Sequence, residues 1–361
     1  MADRVVLHVG LMKSGTSYIQ KRLQSAQPRL AENGVLFPGP RWGHQVDAVI
    51  EVLEVRRRPS GDLEGAWQRL VEQVAAYDGT AVISMEFLGP ARTPQIERIV
   101  DSFGDTPVEV VITARDLNRT LPAMWQEVVK NGGAIGWEDY LEAVHRDERF
   151  GTRFWRQQRV AVIVRRWAER IGIDAVTLVT VPPPGAPTDL LWERWCEAAR
   201  IDPALAPPVS AVNESLGAAS AMVLREVNER LAAYDIPWSA YSKQVKFGLA
   251  KDVMAGRRSQ EDAIGLKVPR WLKDAAASMR HNIEASGVRV VGTLDDLTPT
   301  AVPGVDPAKV RSEERLAAAI DALTDVVRKA IEATSGAPLR PIDSPGADVV
   351  EEAGLGEIQP D

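Results

Sequence analysis

The sequence predicts an α/β protein: a parallel β-sheet flanked by helices, followed by a mainly helical C-terminal part. Three observations predict it. Short β-branched runs, apolar on both faces, alternate with longer amphipathic stretches through the first half. A glycine-bounded loop joins the first such run to the first helical stretch. Beyond about residue 213 strand patterns thin out and helical spacing dominates.

Taken in order, the strand patterns cover 4–9 (RVVLHV), 81–85 (AVISM), 108–113 (VEVVIT) and 175–181 (AVTLVTV), with a short fifth at 288–291. Between them, helical spacing of apolar residues covers 17–33, 62–77, 95–103, 117–131 and 159–171. The turn-rich PPPGAP at 182–187 leads to a helix over 190–200, and further amphipathic helices are expected at 220–234 and 313–334. The expected organisation is an α/β core over 1–205 and a helical region over 206–334 that completes the fold. From 335 to 361 Gly, Pro and acidic residues dominate, which predicts a disordered tail.

The 361 residues carry 43 Lys and Arg against 50 Asp and Glu, a net charge of −7. That balance argues against a general nucleic-acid binder while allowing a local basic pocket. The single cysteine, Cys196, excludes a disulfide framework and a cysteine-rich zinc site, and it reads as a packing residue. No run approaches about 18 apolar residues and the N-terminus enters a strand pattern at once, so the expectation is a soluble, cytoplasmic protein with no signal peptide and no transmembrane segment.

The informative segment follows the first strand: Gly10-Leu11-Met12-Lys13-Ser14-Gly15-Thr16-Ser17, then a helix. Strand, glycine-bounded loop and helix N-terminus form a cradle for an anion, because loop N–H groups and the helix dipole both favour negative charge. Thr16 and Ser17 add hydroxyls at the first turn. The spacing approaches that of a triphosphate-binding loop, but the residue after Gly15 is a threonine and the lysine sits inside the loop. The second strand leads to Glu86 and the third to Arg115, not to a magnesium-holding aspartate. Both features argue against ATP or GTP hydrolysis.

Gly10, Lys13, Gly15, Thr16 and Ser17 match a loop reading Gly-x-x-Lys-x-Gly-Thr-Thr/Ser, and the chain here resembles the PAPS-dependent sulfotransferases, whose fold is P-loop NTPase-like. The resemblance implies that the loop, with Ser14 in it, holds the 5′-phosphosulfate and that Lys13 neutralises the oxygen leaving with PAP. The family also places an arginine at the end of the third strand and a serine eight residues later, which together bind the 3′-phosphate. Arg115 fits, through the forked geometry of a guanidinium; the eighth residue on is Ala123, which has no hydroxyl. Thr120, Asn118 or Arg119 could substitute. The segment Ala114–Glu127, with Val181–Pro187, Leu191–Arg194, Asn213–Gly217 and Val290–Leu294, is similar to an actinobacterial sulfotransferase-like branch. The implied reaction is metal-independent sulfuryl transfer to a hydroxyl or amine of a small-molecule, glycan or lipid acceptor.

Such a transfer needs a base for the acceptor's proton. Glu86 directly follows the second strand, where parallel sheets place their ligands, and heparan-type sulfotransferases use a glutamate in a comparable place; a helix-capping role for it is the competing reading. His44 lies in Pro38-Gly39-Pro40-Arg41-Trp42-Gly43-His44, which reads as a loop able to border the acceptor cleft. Of the other histidines, His8 is expected in the core and His145 and His281 in solvent. Lys243, Lys246 and Lys251 could reach a nucleotide phosphate from the helical half, Trp192 and Trp195 read as core, and Arg56-Arg57-Arg58 as an exposed helix end. Two other readings remain open: a phosphotransferase using ATP through an atypical loop, and a non-catalytic module that binds PAP.

Overall fold

A computed structural model of the chain describes residues 2–55, 63–209 and 215–336. The arginine run at 56–58, Asn213 and Glu214, and the tail beyond Gly336 lie outside the described residues. Ser335, assigned from sequence to the tail, still belongs to the last helix.

Six parallel strands form one sheet in the order β2-β3-β1-β4-β5-β6. These are β1 (Arg4–His8), β2 (Val35–Leu36), β3 (Thr80–Ser84), β4 (Val108–Ala114), β5 (Val176–Thr180) and β6 (Arg289–Val291). This is the parallel sheet flanked by helices expected from sequence; β2, only two residues long, was not foreseen. From β1 the chain crosses to the edge strand β2, returns to β3 beside β1, and then passes to β4 on the other side, so the crevice at the end of β1, bounded by β3 and β4, is the topological switch point where such sheets take ligands. Register follows the period of two. Val5, Leu7, Ala81, Ile83, Val110 and Ile112 enter one core, whereas Val6, Val82 and Val111 enter the other.

Helices cover both faces. In chain order they are α1 (Thr16–Ser25), α2 (Gln27–Glu32), α3 (Trp42–Val52), α4 (Ala66–Ala75), α5 (Thr93–Asp101), α6 (Leu117–Lys130), α7 (Trp137–Arg146), α8 (Phe150–Gln158), α9 (Val160–Ile171), α10 (Leu190–Ala199), α11 (Ala218–Leu231), α12 (Trp238–Tyr241), α13 (Arg270–Ala285) and α14 (Ser312–Ser335). Sequence reading merged α1 and α2. They separate at Ala26, two residues ahead of Pro28, whose ring tolerates only the first turn of a helix. α12 runs on into a π-helix, Ser242–Lys251.

The smaller core holds Ile19 and Leu23 of α1 against Trp192, Trp195 and Cys196 of α10. The two indoles stack at 5.3 Å, as packing residues rather than a binding platform. Burial pushes the Cys196 thiol far up, in keeping with an inert packing role. The C-terminal half adds β6 to the sheet edge and packs α11 on α6 and α13 on α9. No helix among the described residues is long and apolar enough to cross a membrane.

Candidate functional site

The first turn of α1 opens on the crevice beside β1. Its N-cap, Gly15, sits in the left-handed region (φ 86), no side chain caps the helix, and its first turn contains no acidic residue. The Tyr18 and Ile19 N–H groups bond back to the Gly15 carbonyl, leaving those of Thr16 and Ser17 without a partner within the helix at the positive end of the dipole. Lys13 is also left-handed (φ 63), a backbone form in which successive loop N–H groups converge on one point. Gly15 is required twice over, because a Cβ there would lie 2.4 Å from Leu191 Cδ2.

The loop rests on a buried polar chain that sequence reading did not anticipate. His8, fully buried, places Nδ1 2.8 Å from Ser84 Oγ and Nε2 3.2 Å from Thr113 Oγ1. Thr113 Oγ1 donates to the Gly10 carbonyl (2.9 Å), and Ser14 Oγ donates to the Leu11 carbonyl (2.5 Å). Ser14 Oγ also lies 2.7 Å from Thr113 Oγ1, so the hydroxyls can share protons along the chain in more than one way, and a neutral ring fits between them. Burial agrees, lowering the His8 pKa to about 3. Ser14, proposed from sequence as a ligand residue, therefore spends its hydroxyl beneath the loop and does not line the cavity. Thr16 lines the cavity, but its hydroxyl donates to the Leu11 carbonyl (3.0 Å).

The cavity above the loop holds about 790 Å³. It gathers Lys13, Gly15, Thr16 and Ser17 of the loop, Glu86 after β3, Arg115 after β4, one face of α6, Trp42 and Val46 of α3, and the π-helix. Arg115 is largely buried, its Nε has no hydrogen-bond partner, and burial with nearby Arg119 lowers its pKa to about 10, leaving it charged at neutral pH. Buried polar groups are nearly always paired; among the cavity-lining side chains, Arg115 Nε and Gln157 Oε1 are the buried atoms without a partner. Asp116 takes no part: it caps α6 through the Arg119 N–H (3.0 Å) and pairs with the Arg119 guanidinium.

Ala123 does face the cavity. None of the three residues suggested in its place does. Asn118 donates to the Leu266 and Thr300 carbonyls, Thr120 to the Asp116 carbonyl, and Arg119 is held by Asp116 and the Pro182 carbonyl. Instead α6 presents Ala123, Glu127 and Asn131 at spacings of four, along one stripe. Glu127 was missed in the sequence; the four-residue step from Ala123 was the signal that could have found it.

Glu127 is a hub. Its Oε2 accepts from Lys13 Nζ (2.8 Å), and its Oε1 lies 3.5 Å from Lys246 Nζ and accepts from Asn131 Nδ2 (2.7 Å). Burial alone would raise its pKa. Lys13 and then Lys246 outweigh that, and the carboxyl lies well below the usual carboxylate range. Lys246 and Lys251 both reach the cavity and Lys243 does not. The π-helix accounts for the pairing, since its wider turn bonds residues five apart and brings them to neighbouring positions.

The two proposed bases part company. Glu86 lines the cavity and accepts from Gln20 Nε2 (3.2 Å), which also donates to the Ser84 carbonyl. His44 does not enter it. Residues 42–52 are helical rather than a loop, His44 is exposed on the first turn of α3 with Nδ1 3.1 Å from the Arg41 carbonyl, and it borders a separate depression with Asp47 and Arg69.

No family model matches the chain, and no curated protein matches it. Among solved structures, a sulfotransferase from Alicyclobacillus acidocaldarius is similar at 17% identity and a TM-score of 0.39, covering 65% of this chain and 97% of that chain.

Proposed function

We propose that the chain is a sulfotransferase that moves a sulfuryl group from PAPS to a hydroxyl or amine and releases PAP. The observation that carries this reading is Arg115, a charged, largely buried guanidinium with an unpartnered Nε, in one cavity with the lysine-bearing loop. A donor with phosphate groups at both ends of a nucleoside needs two separate cationic contacts, one per end. Lys13 with the first turn of α1 would take the phosphosulfate, and Arg115 the 3′-phosphate.

The step breaks the bond from sulfur to the phosphate oxygen and forms one from sulfur to the acceptor oxygen or nitrogen. Lys13 stabilises the charge that develops on the departing phosphate. Glu86, across the crevice at the end of β3, takes the acceptor's proton, and Gln20 holds that carboxylate in place. Glu127 is a poor base because its two lysines lower the carboxylate's affinity for a proton. Six cationic side chains in the cavity wall (Lys13, Lys21, Arg115, Arg153, Lys246 and Lys251) supply the charge that this mechanism needs without a metal.

Calorimetric titration with PAP, and separately with ATP plus magnesium, tests the reading on the wild type, Lys13→Ala and Arg115→Ala. Micromolar PAP binding weakened by both substitutions, with no response to ATP, is expected. Labelled PAPS with a panel of acceptors, in the presence of a chelator, then tests transfer. ATP binding without PAP binding would replace this reading by the phosphotransferase, and PAP binding without transfer to any acceptor by a non-catalytic module.

A further inference from the structure

The contact that stands out is the one between Lys13 and Glu127. A lysine in an anion-binding loop is here already paired with a carboxylate of the same chain, 114 residues away. Among the cavity-lining residues, Glu86 and Glu127 are the only acidic ones, against six cations. Glu86 is held by Gln20; Glu127 alone sits among the lysines.

The three partners of Glu127 are unequal. Lys246 is the more enclosed lysine, with 17% of its side chain exposed, and it also donates to Asn131 Oδ1 (2.8 Å). Asn131 is bound to the carboxylate and to the Glu127 backbone carbonyl (2.6 Å). Lys13 is 30% exposed and projects from the loop on a flexible four-carbon stem. A phosphate brought to the loop would set a second negative charge close to Glu127, in a partly desolvated site where like charges repel strongly. The arrangement that relieves this turns Lys13 from Glu127 to the incoming anion, while Lys246 and Asn131 continue to satisfy the carboxylate.

We propose that Glu127 is an internal counter-anion for Lys13: it holds the ammonium while the cavity is empty and yields it to the anionic ligand, so that ligand entry exchanges one salt bridge for another. This rests on the anion-binding reading of the loop and adds to it a competitor built into α6. The intrinsic affinity of the loop is therefore masked by the chain itself. Removing the carboxylate's charge strengthens anion binding, where a residue that merely orients Lys13 would weaken it.

The test is a double-mutant cycle on the full chain, with calorimetric titration of PAP and of inorganic pyrophosphate against wild type, Glu127→Gln, Lys13→Gln and the double variant. Glu127→Gln is expected to bind both anions about three- to tenfold more tightly, and most of that gain is expected to vanish in the Lys13→Gln background. Weaker or unchanged binding by Glu127→Gln overturns the proposal. An equal gain in both backgrounds also overturns it, because simple repulsion would then suffice without any exchange. A readout on the wild type avoids dependence on the variants' folding: the 15N-ammonium resonance of Lys13 is expected to shift on adding pyrophosphate while that of Lys246 stays in place, and a static Lys13 resonance at saturation overturns the exchange. If pyrophosphate behaves as described and PAP does not bind, the proposed function fails and the counter-anion stands.

Discussion

Gly10 and Glu86 face each other across the switch point so closely that a Cβ on Gly10 would lie 2.9 Å from Glu86 Cβ. The glycine loop and the proposed base are thus packed backbone to side chain, and Gly10 also takes a positive φ of 101°. Gly10→Ala combines left-handed strain with a clash and should cost about 2–4 kcal/mol. Gly34, with a φ of 75° and open space around its missing Cβ, is the control, and Gly34→Ala should cost about 1 kcal/mol, from strain alone. Chemical denaturation measures both. Gly10→Ala should also weaken PAP binding by tenfold or more, whereas Gly34→Ala should not.

Arg115 predicts a split between stability and binding. Its guanidinium is largely buried without a hydrogen bond to Nε, so Arg115→Met should leave the ligand-free protein as stable as wild type, or more stable by about 1 kcal/mol. Binding should collapse, since charge-assisted hydrogen bonds are worth about 1.5–3 kcal/mol each and a guanidinium can make two to one phosphate. The measurements are a denaturant melt without ligand and a PAP titration. Stability and affinity falling together would assign Arg115 to the fold instead.

Glu86 and His44 are separated by substitution. Glu86→Gln keeps an acceptor for Gln20 and removes the base, so turnover should fall by about 10²–10⁴ with PAP affinity nearly unchanged. His44→Ala, on the exposed turn of α3, should leave both unchanged. Loss of turnover in His44→Ala at wild-type affinity would return the histidine to the reaction.

His8 predicts an acid-labile fold. Its pKa in the folded chain, about 3, lies below the ordinary value near 6.5, so below about pH 6.5 the unfolded chain binds the extra proton. The contribution is fully present above pH 6.5 and is lost as pH falls from there toward 3, with a limiting slope of about 1.4 kcal/mol per pH unit. His8→Asn should be less stable at pH 7, through the lost contact with Thr113, yet lose less stability between pH 6.5 and 5. Unfolding curves across that range give both numbers. An unchanged acid slope would mean that the ring titrates normally.

Local chemistry made much of the scaffold legible. Val5, Leu7, Val110 and Ile112 announce strands because a strand buried on both faces has no polar side to show. Gly10 and Gly15 announce the loop because only glycine takes a left-handed turn there without strain. The break between α1 and α2 and the short β2 were less visible: one turns on a single proline, and the other is a two-residue edge strand defined only by its pairing with β3. His44 reads as a loop residue because glycine and proline are dense over 38–43, yet α3 begins at Trp42 and carries it on a helix.

The strand segments, the glycine loop and two of the charges that meet there, Lys13 and Arg115, are legible in the sequence, because each depends on residues within a few positions of one another. Tertiary structure alone decided what those charges face. The Lys13–Glu127 pair spans 114 positions, the buried His8–Thr113 contact spans 105, and Lys246 arrives from a π-helix in the C-terminal half. No local pattern encodes such partners, because electrostatic energy depends on distance through space and on burial, and both exist only once the chain has closed around the cavity.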